Sequence, residues 1–162
     1  MLAKTFDLDV SYGQIAIYRA DLLNPFNDWS DAHVSQGFAW RKGSVSFRTI
    51  SAEGPHTIEL IVESHMGTID PSTVRAIDVP FDVPPDGRIE VASISDAVAI
   101  QMTPGTYCLR CGFMAASRKD KPLVRITFAK EEVPRFAIAR CDNELIEPKT
   151  FITTATPATS RG

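Results

Sequence analysis

The chain has 162 residues, enough for one domain with a substantial core, and its 44% apolar and 23% charged residues are those of an ordinary globular protein. The net charge of −3 is small but unevenly spread: residues 1–100 hold 14 acidic against 7 basic side chains, and residues 101–162 hold 6 against 10. The acidic first part disfavours nucleic acid as a direct ligand, because phosphate binding needs clustered Lys and Arg, and it suits a basic protein partner instead. No apolar run approaches the length of a bilayer span. The first residues, Met1 to Asp7, carry acid where a secretion signal has a long apolar segment, so a cytoplasmic location without membrane contact is expected. Three cysteines, an odd number, fit a reducing compartment better than a disulfide framework.

Taken in order, Lys4 to Val10 alternates, with Phe6, Leu8 and Val10 on one side, and reads as a first strand. Tyr12-Gly13 makes a turn or bulge, and Gln14 to Arg19 is a second strand with Ile15 and Ile17 inward. Pro25 and Asn27 break the chain before its one helix signal. Asp28 stands where an N-cap belongs, Asp31 follows three residues later as in a capping box, and Gly37 supplies a left-handed stop. The helix so predicted, near residues 29–37, is too short to stand alone, so Trp29, Val34 and Phe38 are expected to pin it to a sheet. Ser44 to Arg48 follows as a strand.

After the turn Glu53-Gly54-Pro55 comes the clearest alternation, with Ile58, Leu60 and Val62 inward and Glu59 and Glu63 outward. In the next strand Arg75, Ile77, Val79 and Phe81 share a face opposite Asp78 and Asp82, and Pro80 marks it as an edge or a bulge. Pro84-Pro85-Asp86-Gly87 turns the chain into strands at Ile89–Val91 and Val98–Met102. Pro104-Gly105 leads into Thr106–Phe113, and a charged loop at Arg118–Pro122 precedes Val124, Ile126 and Phe128. A short strand at Phe136–Ala139 ends the pattern. Nine or ten short strands with one helix predict an all-β fold, an antiparallel two-sheet β-sandwich, although a closed barrel gives the same pattern. Residues 1–141 are expected to form this single domain, and 142–162 an extension whose Thr-, Ala-, Pro- and Ser-rich end, from Thr150, has little to bury and is mobile.

Little here resembles a catalytic centre. Cys108 and Cys111, three apart in a strand, point to opposite faces and cannot converge on a metal. His56 and His65 flank one strand, too far apart to share a ligand, and no nucleophile elbow or glycine-rich phosphate loop is present. No enzyme, cofactor or metal is expected. The carboxylates Glu59, Glu63, Asp78, Asp82 and Glu90 point away from the core, either as a field that attracts a basic partner or as charge that protects sheet surfaces from aggregation. Asp28 and Asp31 cap a helix and are also free to bind, and Trp29 between them is either core packing or an interface anchor.

Ser11-Tyr12-Gly13-Gln14-Ile15, Asp28-Trp29-Ser30-Asp31, Gly37-Phe38, Gly43-Ser44-Val45-Ser46-Phe47, Ile77–Val83 and Gly105–Cys111 together resemble the competence protein J family. The likeness runs in order, with gaps, from Ser11 to Phe128. It implies an inhibitor of a DNA-entry nuclease, or an immunity protein to a secreted nuclease toxin, that binds the enzyme and blocks its DNA-binding face. The partner is then a basic nuclease, and the expected partner-binding residues are Asp28, Trp29, Asp31, Glu59 and Glu63. The alternative is a non-catalytic sandwich module that binds carbohydrate through Tyr12, Trp29 and Trp40, or calcium through Asp28, Asp31, Asp70 and Asp86.

Overall fold

The structure, a computed structural model, describes residues 2–115 and 120–159. It is an all-β fold of two facing sheets with one short helix. Among the described residues eleven strands form: β1 Leu2–Val10, β2 Gln14–Arg19, β3 Phe38–Arg41, β4 Ser44–Arg48, β5 Gly54–Glu63, β6 Thr73–Val83, β7 Arg88–Ala92, β8 Ala97–Gln101, β9 Gly105–Met114, β10 Leu123–Lys130 and β11 Ala137–Arg140. The helix α1, Asp31–Gln36, lies between β2 and β3. Of the charged loop expected at Arg118–Pro122, Arg118 and Lys119 lie outside the described residues, as do Ser160 to Gly162 of the tail.

One sheet has six strands in the order β1-β5-β10-β9-β6-β11, the other five in the order β3-β4-β2-β7-β8. Pairing is antiparallel except between β5 and β10, which run parallel with Ile58 opposite Val124 and Leu60 opposite Ile126. The six-stranded sheet is therefore mixed, which alternation cannot foretell because both pairings give a period of two. β3 is an addition to the expected strands: four residues between Gly37 and Gly43 are too few to show a pattern.

The core fills the space between the sheets. Leu8, Ile15, Ile17, Phe47, Ile58, Leu60, Ile77, Val79, Leu109, Ile126 and Phe128 are all buried there, each the inward member of an alternating pair. Such side chains contribute about 1.5–3 kcal/mol apiece by leaving water. Pro80 sits where the ladder from β11 has ended, since β11 reaches only Ala76–Asp78. From that point β6 is the sheet's free edge, and the Trp40 indole N–H donates to the Pro80 carbonyl across the gap, 2.8 Å.

The C-terminal extension makes contacts with the domain that its composition does not suggest. Residues 142–159 pack along α1 and β3. The backbone N–H of Ile146 donates to Ser35, that of Ala155 to Trp40, and that of Ala158 to Phe26. Leu145 is buried, and Phe151 lies 5.6 Å from the Phe38 ring. The guanidinium of Arg75, fully buried, ties down its start: Nη2 and Nε both donate to Asp142 Oδ2, at 2.8 and 3.1 Å, and Nη1 donates to the Arg48 carbonyl.

Candidate partner-binding surface

The helix start differs from expectation by two residues. Ser30, in extended backbone (φ −93°, ψ 170°), is the N-cap; its hydroxyl accepts from the His33 N–H while the His33 ring Nδ1 accepts from the Ser30 N–H. His33 thus fills the place that a Glu or Gln takes in the usual capping box. Asp28 is not the cap, because Asn27 and Asp28 are held extended against the C-terminal segment: Asn27 bridges Pro157, and the Asp28 N–H donates to the Thr156 carbonyl. Asp31 is the first helical residue, where its charge faces the positive end of the helix.

Gly37 ends the helix as expected, in left-handed backbone (φ 89°), with its N–H donating to the His33 carbonyl. Of the three apolar residues expected to pin α1, Phe38 is buried, Trp29 half-buried and Val34 exposed.

Asp28 and Asp31 are both exposed, and among the described residues neither joins an ion pair. Trp29 between them is neither wholly core nor wholly surface. Its indole N–H donates to Gln14 Oε1 at 3.2 Å, and its ring meets His33 edge-on at 6.4 Å. One side of the indole borders a groove of about 500 Å³, bounded also by the Tyr12-Gly13 turn, Val34 and Ile50. Arg48 and Glu144, ion-paired at 3.1 Å, are its charged lining residues. Sequence reasoning missed Ile50 and Glu144 as members of this surface; no local pattern joins residues that only tertiary packing brings together.

Glu59 and Glu63 lie apart from this group, on the outer face of the six-stranded sheet. Glu59 pairs with Arg125 at 3.2 Å, and Arg125 also reaches Asp70 at 3.6 Å. Asp78 is held by both nitrogens of the Arg110 fork, Nε to Oδ1 at 2.7 Å and Nη2 to Oδ2 at 3.0 Å. A second cavity, about 270 Å³, is lined there by Glu63, Asp70, Arg110 and Arg125. Two of the outward carboxylates, Glu59 and Asp78, are thus neutralised by arginines. The basic strands β9 and β10, from the second part of the chain, interleave in one sheet with the acidic β5 and β6 from the first. Glu90 belongs to the other sheet, in β7, and Asp82 remains exposed in β6.

Two of the three cysteines and two of the three histidines are interior, while Cys141 and His65 are exposed. Cys111 joins the core and Cys108 is buried on the opposite side of β9; burial pushes the Cys108 thiol up to about 12 and raises Cys111 as well. Thiols so raised are poor nucleophiles at neutral pH. His33 and His56 are buried, and desolvation lowers the pKa of both. Among the described residues no three His, Cys, Asp or Glu side chains group so as to hold a metal ion. Asp28 and Asp31 are just before and at the start of α1, Asp70 in the loop between β5 and β6 and Asp86 in the turn before β7, and they form no such group.

Comparison with known proteins gives consistent matches. The family described as Competence protein J (ComJ) matches residues 7–131. The chain is 28% identical over 118 residues to the DNA-entry nuclease inhibitor of Bacillus subtilis (strain 168), covering 72% of this chain and 86% of that protein. Among solved structures it resembles the crystal structure of ComJ, inhibitor of the DNA degrading activity of NucA, from Bacillus subtilis. That match has 23% identity and a TM-score of 0.68, and covers 79% of this chain and 96% of the other. At that identity the structural likeness speaks for the fold.

Proposed function

The chain belongs to the competence protein J family, and from that premise we propose that it inhibits a DNA-degrading nuclease by binding the enzyme and covering the face that holds DNA. The observation that carries this reading is the likeness to the DNA-entry nuclease inhibitor over most of both chains. The chemistry of the helix tip supports it. An enzyme that cleaves DNA holds a polyanion and so presents clustered Lys and Arg. Asp28 and Asp31, exposed and unpaired, offer two carboxylates that such a surface can accept in place of phosphates. Trp29 supplies an aromatic side chain whose one wall is already fixed by Gln14 and His33, so little freedom is lost on binding. The protein acts by occupying the enzyme and performs no chemistry of its own.

Asp28, Trp29 and Asp31 form the contact in this proposal, and Glu59 and Glu63 add only to the long-range field that steers encounter. The test is DNA degradation by the organism's own nuclease, titrated with the wild-type protein and with Asp31→Ala and Trp29→Ala, melting being measured on the same samples. Stoichiometric inhibition by the wild type is expected, with Asp31→Ala weakened by one to several kcal/mol, about the range of a desolvated charged contact. If both variants stay folded and inhibit at wild-type concentrations, the contact lies elsewhere.

A further inference from the structure

Tyr12 stands at odds with its place. The chain passes from β1 in one sheet to β2 in the other through a two-residue turn, Tyr12-Gly13, closed by a single Ser11–Gln14 bridge and with positive φ at both positions, 57° and 65°. Turns of this hand favour Asn-Gly. A bulky side chain in left-handed backbone crowds its own carbonyl, so tyrosine is a costly choice here. Packing does not explain it, for Tyr12 is 82% exposed. The turn itself is held firmly: the Gly13 N–H donates to the Ala52 carbonyl at 2.8 Å, and the Gly13 carbonyl accepts from the Thr49 N–H at 2.9 Å. A strained, rigid turn that projects an aromatic ring into solvent serves something outside the fold.

The ring stands at the lip of the groove described above, with Trp29, Val34 and Ile50 around it; Val34 and Ile50 are exposed despite being apolar. Resting on the nuclease reading, we infer that this groove is the docking site, with Tyr12 as its anchor, and that its occupant is a lysine- or arginine-bearing loop of the nuclease. Charge selects that occupant. The groove's one basic lining residue, Arg48, is engaged by Glu144, while Asp28 and Asp31 on either side of Trp29 are unengaged, so the local field is negative. The faces of Tyr12 and Trp29 attract a cation, and Val34 and Ile50 suit the alkyl stem that carries it.

The test uses the whole protein and a catalytically inactive form of the organism's own DNA-degrading nuclease, with affinity, melting and amide hydrogen exchange measured together. Tyr12→Asn relaxes the turn, so it is expected to melt no lower than wild type and yet to bind about tenfold or more weakly, the loss typical of an interface anchor. Leu23→Asp, which changes another exposed apolar residue, should bind as wild type does. On complex formation, exchange should slow in residues 11–14, 29–34 and 48–52. If the wild type inhibits while Tyr12→Asn binds unchanged, or if protection falls on β5, β6 and β9, the docking site is overturned and the nuclease reading stands. If the wild type does not bind the nuclease, or only self-associates through the groove, the reading and the occupant fall together.

Discussion

At Gly37 two constraints meet: its backbone is left-handed, and a Cβ placed there would come within 2.8 Å of Leu145 and 2.9 Å of Ile77. Gly37→Ala is therefore expected to cost about 2–4 kcal/mol, from strained backbone and overpacking together, read as a lower urea midpoint with an unchanged slope. The first constraint is legible in the sequence as a helix stop; the second is not, because Leu145 is remote in the chain. His33 was equally hidden as a capping residue, since the acids around it made the stronger pattern. Its Nδ1 accepts from the Ser30 N–H, which requires a neutral ring, and burial lowers its pKa as it does that of His56. The folded protein then binds fewer protons than the unfolded chain. The associated stability is whole above the ordinary histidine value of about 6.5 and is lost as pH falls through the depressed folded values. Urea midpoints should fall on acidification from about pH 7 to 5. His33→Gln, which can keep the capping box, should flatten part of that slope; an unchanged slope would assign it to His56 and other groups.

Among the elements, the strands were readable because one face of each meets the core, and alternation reports that directly, as in Ile58, Leu60 and Val62 of β5. The C-terminal segment was not, because backbone groups and a few apolar side chains attach it rather than any periodic face. Its Asp142 partner, Arg75, is a charge with no access to water. Asp142→Ala should cost about 3–5 kcal/mol by leaving that charge unpaired, and Arg75→Met added to it should recover much of the loss. A double-mutant cycle in urea measures both; a small cost for Asp142→Ala alone would mean that Glu144, 3.9 Å from Arg75, takes over the pairing. Since the segment also holds the Asp28 backbone, loosening it is expected to raise hydrogen exchange at residues 26–29 before the sheets open.

For the whole molecule, the charge imbalance between the two parts of the chain is partly cancelled in space, since the sheet order sets Arg125 against Glu59 and Arg110 against Asp78. Composition cannot reveal such cancellation without the topology. It leaves the helix tip with free carboxylates, and so Asp28→Lys should slow association with the nuclease and weaken its dependence on salt more than Glu59→Lys does, as stopped-flow binding at several ionic strengths would show. Equal effects would place the steering field on the six-stranded sheet instead.

The position of β10 also governs how the chain comes into being. It lies between β5 and β9 and is the strand that joins the β1–β5 pair to the β9–β6–β11 group. All five strands of the other sheet are encoded by residues 14–101, whereas this junction awaits residues 123–130. During synthesis, then, one sheet can be complete while the other exists as two separate pieces, each with an unpaired edge. A ribosome that stalls or a protease that cuts just before Leu123 leaves a fragment that lacks β11 too, so β5, β9 and β6 all lose a neighbour, and such a fragment is prone to aggregate.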